Sequence, residues 1–211
     1  MKAKAPGQFF GIFFRNSNAQ AVVTTFNDDG TTTLSYMTTG GNLDINFFFK
    51  GSAKEIIQQY QQFIGLPTLT PLWSLGWHAS AYAYFNLSMV NEAIEGYLSN
   101  DVPLEGVWFD IKYMDDYKDF TVDDVNWKDL KNYTDTYRKT KSIKFIPIID
   151  AGLSNDSYPN KYVEAAKAKN ALLLSNGTAF SAQVWPHNAT FLDWFNADSK
   201  AIWSQGFQDL Y

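Results

Sequence analysis

Cysteine is absent from the 211 residues, which removes disulfides, thiolate metal ligands and thiol nucleophiles together. Histidine occurs only as His78 and His187, so a histidine-rich metal site is excluded and no metal is expected. A Ser-His-acid triad would have to use one of the two, and no G-x-S-x-G elbow accompanies them. Neither a P-loop nor a G-x-G-x-x-G is present, so phosphate-cradling cofactors have no visible seat and no cofactor is expected. Basic residues number 17 against 22 acidic ones, for a net charge of −5, and without a basic cluster a nucleic-acid partner is not expected. No apolar run approaches the roughly 18 residues of a membrane span. The N-terminal MKAKAPGQFF lacks an apolar core, so no signal peptide is expected within this chain.

What the chain does have is aromatic rings: 17 Phe, 12 Tyr and 7 Trp. Rings beside carboxylates suit a sugar site, where C–H faces stack and hydroxyls find acceptors. The same content also fits a large core.

The first fifty residues read as β. Phe9–Phe14, Ala21–Phe26, Thr31–Tyr36 and Leu43–Phe49 are separated by turn signals at Asp28-Asp29-Gly30 and Gly40-Gly41-Asn42. Ser52-Ala53-Lys54-Glu55 has the spacing of a capping box, and Ile56, Ile57, Tyr60, Phe63 and Ile64 recur with helical period. Gly65-Leu66-Pro67 ends that helix. Strands and helices then alternate: strand character over Leu72–His78, Gly106–Ile111 and Ile143–Asp150, helix over Ser88–Leu98 and Leu130–Lys139. A loop with a short helix at Lys161–Lys169 follows, and a last helix is expected near Thr190–Tyr211. This alternation implies a parallel sheet with crossover helices.

Two of these strands end in aspartate, GVWFD at Asp110 and KFIPIID at Asp150. In (β/α)-barrels chemistry sits at that end of the strands, although an Asp there also simply caps the next loop.

The blocks PLWSLGWHASAYAY (71–84), VPLEGVWFDIKYMDDYKDFTVD (102–123), IPIIDAGLS (146–154) and QVWPHNATFLDWFNADSKAIW (183–203) resemble glycoside hydrolase family 31, the α-glucosidase family. RNSNAQAVV (15–23) and residues 34–67 are similar to the end of that family's N-terminal β-sandwich and its link into the barrel. The resemblance implies an α/β fold: a partial (β/α)8 TIM barrel, its first three βα units, preceded by the C-terminal strands of a β-sandwich. The implied domains are 1–51 (sandwich end), 52–67 (linker helix) and 68–211 (barrel), with a loop insertion at about 151–190.

It further implies a carbohydrate (α-glucoside) substrate bound by Asp110, Ile111, Tyr82, Ile148, Asp150 and Trp185. Asp110 would accept sugar hydroxyls and Tyr82 and Trp185 would line the ring. His78 is expected to be structural. The chain departs from the family at Ala81, where Arg is usual, at Lys112, where an acid is usual, and at Ala151, where Pro is usual. On a strand Lys112 would share the face of Asp110.

Retaining glycosidases need two carboxyl groups about 5 to 5.5 Å apart. The family's nucleophile lies in a Trp-x-Asp-Met-Asn-Glu motif, which occurs nowhere in this sequence. No catalytic carboxylate is therefore assigned here; the chain is expected to be a fragment, inactive alone, with the remainder of its parent barrel as partner. The alternatives are a non-catalytic carbohydrate-binding remnant or a truncated gene product. Five Asn-x-Ser/Thr acceptors, at Asn86, Asn132, Asn155, Asn176 and Asn188, suggest with the family's habits a parent of the secretory pathway, whether lysosomal, secreted or ER.

Overall fold

The computed structural model describes residues 2–5, 8–156 and 159–210. Ser157, the third residue of one acceptor triplet, and Tyr211, the expected end of the last helix, lie outside the described residues. The chain divides into two compact units, Met1–Leu69 and Thr70–Tyr211.

The first unit holds β1 (Lys2–Ala5), β2 (Gln8–Phe14), β3 (Gln20–Phe26), β4 (Thr32–Thr38), β5 (Ile45–Lys50) and α1 (Ala53–Ile64). The order β1-β2-β5 makes one antiparallel sheet and β3-β4 a separate hairpin. The hairpin turns where Gly30 takes φ 76° and the Asp29 side chain accepts the Thr31 N–H at 2.9 Å. α1 begins with the expected reciprocal cap: the Ser52 N–H donates to the Glu55 carboxylate at 3.0 Å, and the Glu55 N–H donates to Ser52 Oγ at 3.3 Å. Such a cap contributes about 1 kcal/mol. The helix expected as a linker packs on β2 and β5, with the Phe13 and Phe48 rings edge-on to Tyr60 and Phe63 and Ile56 buried beneath.

The second unit opens with β6 (His78–Ser80), α2 (Leu87–Ser99), β7 (Gly106–Phe109), α3 (Leu130–Lys141) and β8 (Lys144–Pro147). The three strands are parallel in the order β6-β7-β8, joined by the two helices as the alternation predicts. Val90 and Ile94 of α2, Val107 and Phe109 of β7, and Tyr113, Trp127 and Ile143 form one buried core. Burying each such Val or Ile contributes about 1.5–3 kcal/mol.

The rest comprises β9 (Gly152–Ser154), α4 (Lys161–Ala168), β10 (Leu174–Ser175), β11 (Thr178–Ala179), β12 (Ser181–Val184), β13 (His187–Phe191) and α5 (Ala197–Leu210). A second cluster, Phe120, Leu153, Tyr162, Val163, Ala166, Leu172 and Leu192, joins this region together.

Several expectations are corrected. The stretch 72–78 is not a strand: Leu72–Leu75 is a 3-10 turn in which the Ser74 N–H donates to the Pro71 carbonyl. The strand proper starts only at His78, which pairs with Gly106. The assigned strand β8 stops at Pro147, short of Asp150, because its partner β7 ends at Phe109, whose carbonyl takes the last bond of the pair from the Ile148 N–H. The insertion at 151–190 is not a loop around one helix, because β12-β13-β9 form an antiparallel sheet and β10-β11 a hairpin. The last helix starts at Ala197, since Thr190 and Phe191 are committed to pairing with Leu153 and Gly152.

Candidate active site

All six residues singled out from the sequence, Tyr82, Asp110, Ile111, Ile148, Asp150 and Trp185, line one open cleft of about 1170 Å³ in the second unit. Tyr117, Gln183, Val184, His187 and Phe191 join them. The cleft lies where the chain leaves the C-terminal ends of β6, β7 and β8, closed on one side by the β12-β13 hairpin.

Asp110 directly follows β7. Its Oδ1 accepts the Ile111 N–H at 2.7 Å and starts a 3-10 turn over Ile111–Tyr113. Capping occupies one oxygen, and among the described residues the other accepts no hydrogen bond, so the capping and binding readings of this residue are compatible. Ile148 extends the ladder past Pro147 by donating its N–H to the Phe109 carbonyl at 3.1 Å. Its own carbonyl accepts the hydroxyl of buried Tyr113 at 2.8 Å. Asp150 is half-buried, and its Oδ2 has no hydrogen-bond partner. Burial, followed by the charge of Asp110, raises its pKa.

Behind Asp150 lies Asp119, only 1% exposed. Its Oδ1 accepts the Asp150 backbone N–H at 2.9 Å, and its Oδ2 has no partner. Burial pushes the Asp119 pKa up to about 8, so the carboxyl is held neutral at neutral pH.

The aromatic members come from outside the sheet. Tyr82 sits in the turn after β6, closed by the Tyr84 N–H on the Ala81 carbonyl, and remains exposed. Trp185 and Pro186 form the two-residue tip between Val184 and His187, which pair across the hairpin. His187 takes φ 63° there and sets its ring 5.8 Å from that of Tyr117. Trp185 is 74% exposed, a poor position for a core residue and a free one for stacking.

Lys112 is not on a strand, contrary to expectation. It lies within the 3-10 turn, and its ammonium donates to the Tyr117 hydroxyl at 2.6 Å. His78 is outside the cleft. Trp108 Nε1 donates to its Nδ1 at 3.0 Å, so the ring is the Nε2–H tautomer, and Nε2 meets the Trp73 carbonyl at 3.1 Å. Among the described residues no group of three or more His, Asp or Glu could hold a metal ion, and no helix is long and apolar enough to cross a membrane.

Sequence reasoning missed Tyr117 and Asp119. Both lie inside a block matched to the family, but neither ends a strand, and Tyr117 follows a turn in which Asp116 and Tyr117 take φ 50° and 59°.

The profile of the glycosyl hydrolases family 31 TIM-barrel domain matches residues 67–211. The chain belongs to glycoside hydrolase family 31. It is 34% identical over 197 residues to a probable alpha-glucosidase of Oryza sativa subsp. japonica, covering 92% of this chain and 22% of that protein. With an alpha-glucosidase of Hordeum vulgare it shares 32% identity over 209 residues, 97% of this chain and 23% of the relative. An alpha-xylosidase of Arabidopsis thaliana is 34% identical over 183 residues, 84% of this chain and 20% of the relative. The chain therefore spans less than a quarter of the length of these family 31 relatives. Its fold resembles a DNJ-bound glucosidase II alpha subunit, with TM-score 0.82 and 24% identity over 93% of this chain and 22% of the other.

Proposed function

We propose that this chain is the sugar-binding part of the barrel of an α-glucosidase-type retaining hydrolase, and that its cleft takes a terminal glucose residue. One observation carries the reading: two strand-end carboxylates and two exposed rings, from four separate segments, line a single cleft. Asp110 and Asp150 would accept hydroxyl protons, and Tyr82 and Trp185 would cover the apolar face of the ring. Ile111 and Ile148 would exclude water beneath it. Within this reading β6, β7 and β8 are the first three strands of an eightfold barrel, and the first unit supplies the last strands of a β-sandwich.

The family's nucleophile motif is not in this sequence, so the hydrolytic carboxylates would come from the remainder of the parent barrel, and this chain by itself would not turn over substrate. That absence also favours a second reading, a carbohydrate-binding chain without catalysis. A parent made in the secretory pathway is the third part of the proposal, supported by the five acceptor triplets and by the likeness of the fold to ER glucosidase II.

Titration of the chain with D-glucose, followed by tryptophan fluorescence, tests the reading. Saturable quenching that Asp110→Asn weakens at least tenfold supports it; the loss of one charge-assisted hydrogen bond is worth about this much. Absence of quenching overturns the glucose site. Hydrolysis of an aryl α-glucoside by the chain alone, abolished by Asp110→Asn, overturns its assigned inactivity.

A further inference from the structure

The ammonium of Lys112 lies 4.8 Å from the ring centroid of Tyr82, 5.4 Å from that of Phe85 and 4.9 Å from that of Tyr117. All three distances are within the reach of cation–π attraction. The same nitrogen donates to the Tyr117 hydroxyl at 2.6 Å. The caged cation thus joins two segments that have no backbone ladder between them: the turn after β6, which carries Tyr82 and Phe85, and the turns after β7, which carry Tyr117. Tyr82 is edge-on to Phe85 at 6.3 Å, and Tyr117 meets the His187 ring of the β12-β13 hairpin at 5.8 Å. Tyr82, Tyr117 and His187 all line the cleft, whereas Lys112 does not.

We infer that Lys112 is a positioning residue: its charge holds Tyr82 and Tyr117 as the aromatic wall of the sugar cleft without touching the sugar. Half-exposed tyrosines on irregular turns have many rotamers in water, and a shared cation between them removes that freedom before a ligand arrives. The Tyr117 hydroxyl, then that of Tyr82, raises the Lys112 pKa, which favours the charged form. The inference rests on the glucose reading above for its ligand but not for its geometry.

Three chains test it: the native one, Lys112→Met, which keeps an unbranched apolar stem, and Lys112→Arg, which keeps a stacking cation. With D-glucose as the probe, Lys112→Met should weaken binding about tenfold while Lys112→Arg stays within about twofold of the native value. Unchanged affinity in Lys112→Met overturns the inference, and so does an equal loss in both variants, which would mean that side-chain shape rather than charge matters. A second measurement needs no sugar and no variant. The native chain should show ring-current-shifted ε-methylene protons for Lys112, with proton–proton Overhauser contacts to the Tyr82 and Tyr117 rings. Their absence overturns the cage directly. Their presence in a chain that does not bind glucose sinks the glucose reading alone.

Discussion

The backbone N–H of Asp150 is held at 2.9 Å by the carboxyl of Asp119, a residue 31 positions earlier and almost wholly buried. The cleft carboxylate is thereby fixed through its main chain by a second carboxyl that solvent does not reach. Asp119 is a positioning group, and its protonation has consequences for folding.

Its pKa lies at about 8 in the folded chain against 3.8 as the ordinary value. The folded state therefore binds the proton more tightly than the unfolded state between these limits. This contribution to stability is fully present below about 3.8 and is lost as pH rises through about 8. Asp150, also raised by burial, acts in the same direction. Unfolding free energies from urea titrations across this range should fall with pH in the native chain. In Asp119→Asn, whose amide oxygen still accepts the Asp150 N–H, the slope should flatten, and parallel slopes would refute the assignment.

Trp185→Ala should separate binding from folding. The ring is 74% exposed at a hairpin tip, so its removal should leave the thermal midpoint within a degree or two, as for most surface changes. Glucose affinity should fall by about tenfold if stacking contributes about 1–1.5 kcal/mol. A lowered midpoint with unchanged affinity would instead make the ring a structural one.

Two helical glycines should respond to the same substitution in opposite directions. A Cβ on Gly206 in α5 would lie 2.4 Å from the buried Phe120 ring, which is packed edge-on to Tyr162, Trp203 and Phe207. Gly206→Ala should cost about 1–3 kcal/mol by overpacking. Nothing lies within 4 Å of the corresponding position on Gly96 in α2, where Gly96→Ala should stabilise by about 0.5–1 kcal/mol. Denaturant midpoints of the two variants check both signs.

The acceptor triplets differ in how free their amides are. The Asn155 side chain donates to Ser181, that of Asn188 accepts from Ser181, and that of Asn86 caps α2 through the Met89 N–H. Asn176 stands exposed in the two-residue turn between β10 and β11 with φ 51°. Expression in a secretory host should place a glycan at Asn176 ahead of Asn86, Asn155 and Asn188. Intact mass of the native chain and of Asn176→Gln reads the difference; a glycan at Asn188 with none at Asn176 would contradict it.

Much of this was legible because it is local. The reciprocal cap of Ser52 and Glu55, the helical period of α2 and α3, and the two strand-end aspartates are all spaced within one element. What was illegible depends on distant pairing. β9 and β13 are three and five residues long and find each other across some 35 positions, so neither has a periodic signature of its own. The Leu72–Leu75 turn failed for a different reason: a run of apolar residues there looks like a buried strand, yet Leu72 and Leu75 are exposed. In the site, carboxylates at strand ends announce themselves, whereas Asp119 and Tyr117 matter only through the backbone turns that bring them round.

The tip of the β12-β13 hairpin, finally, supplies Trp185 to the cleft through two residues that, among the described residues, hydrogen-bond to none of β6, β7 and β8. Lengthening, shortening or rewriting that tip leaves the registers of β6, β7 and β8 untouched. On the proposed reading, affinity for the outer part of a sugar would drift by loop exchange alone, while the carboxylates at the strand ends stay fixed. Such recognition would be divisible, with a fixed floor and a replaceable lip.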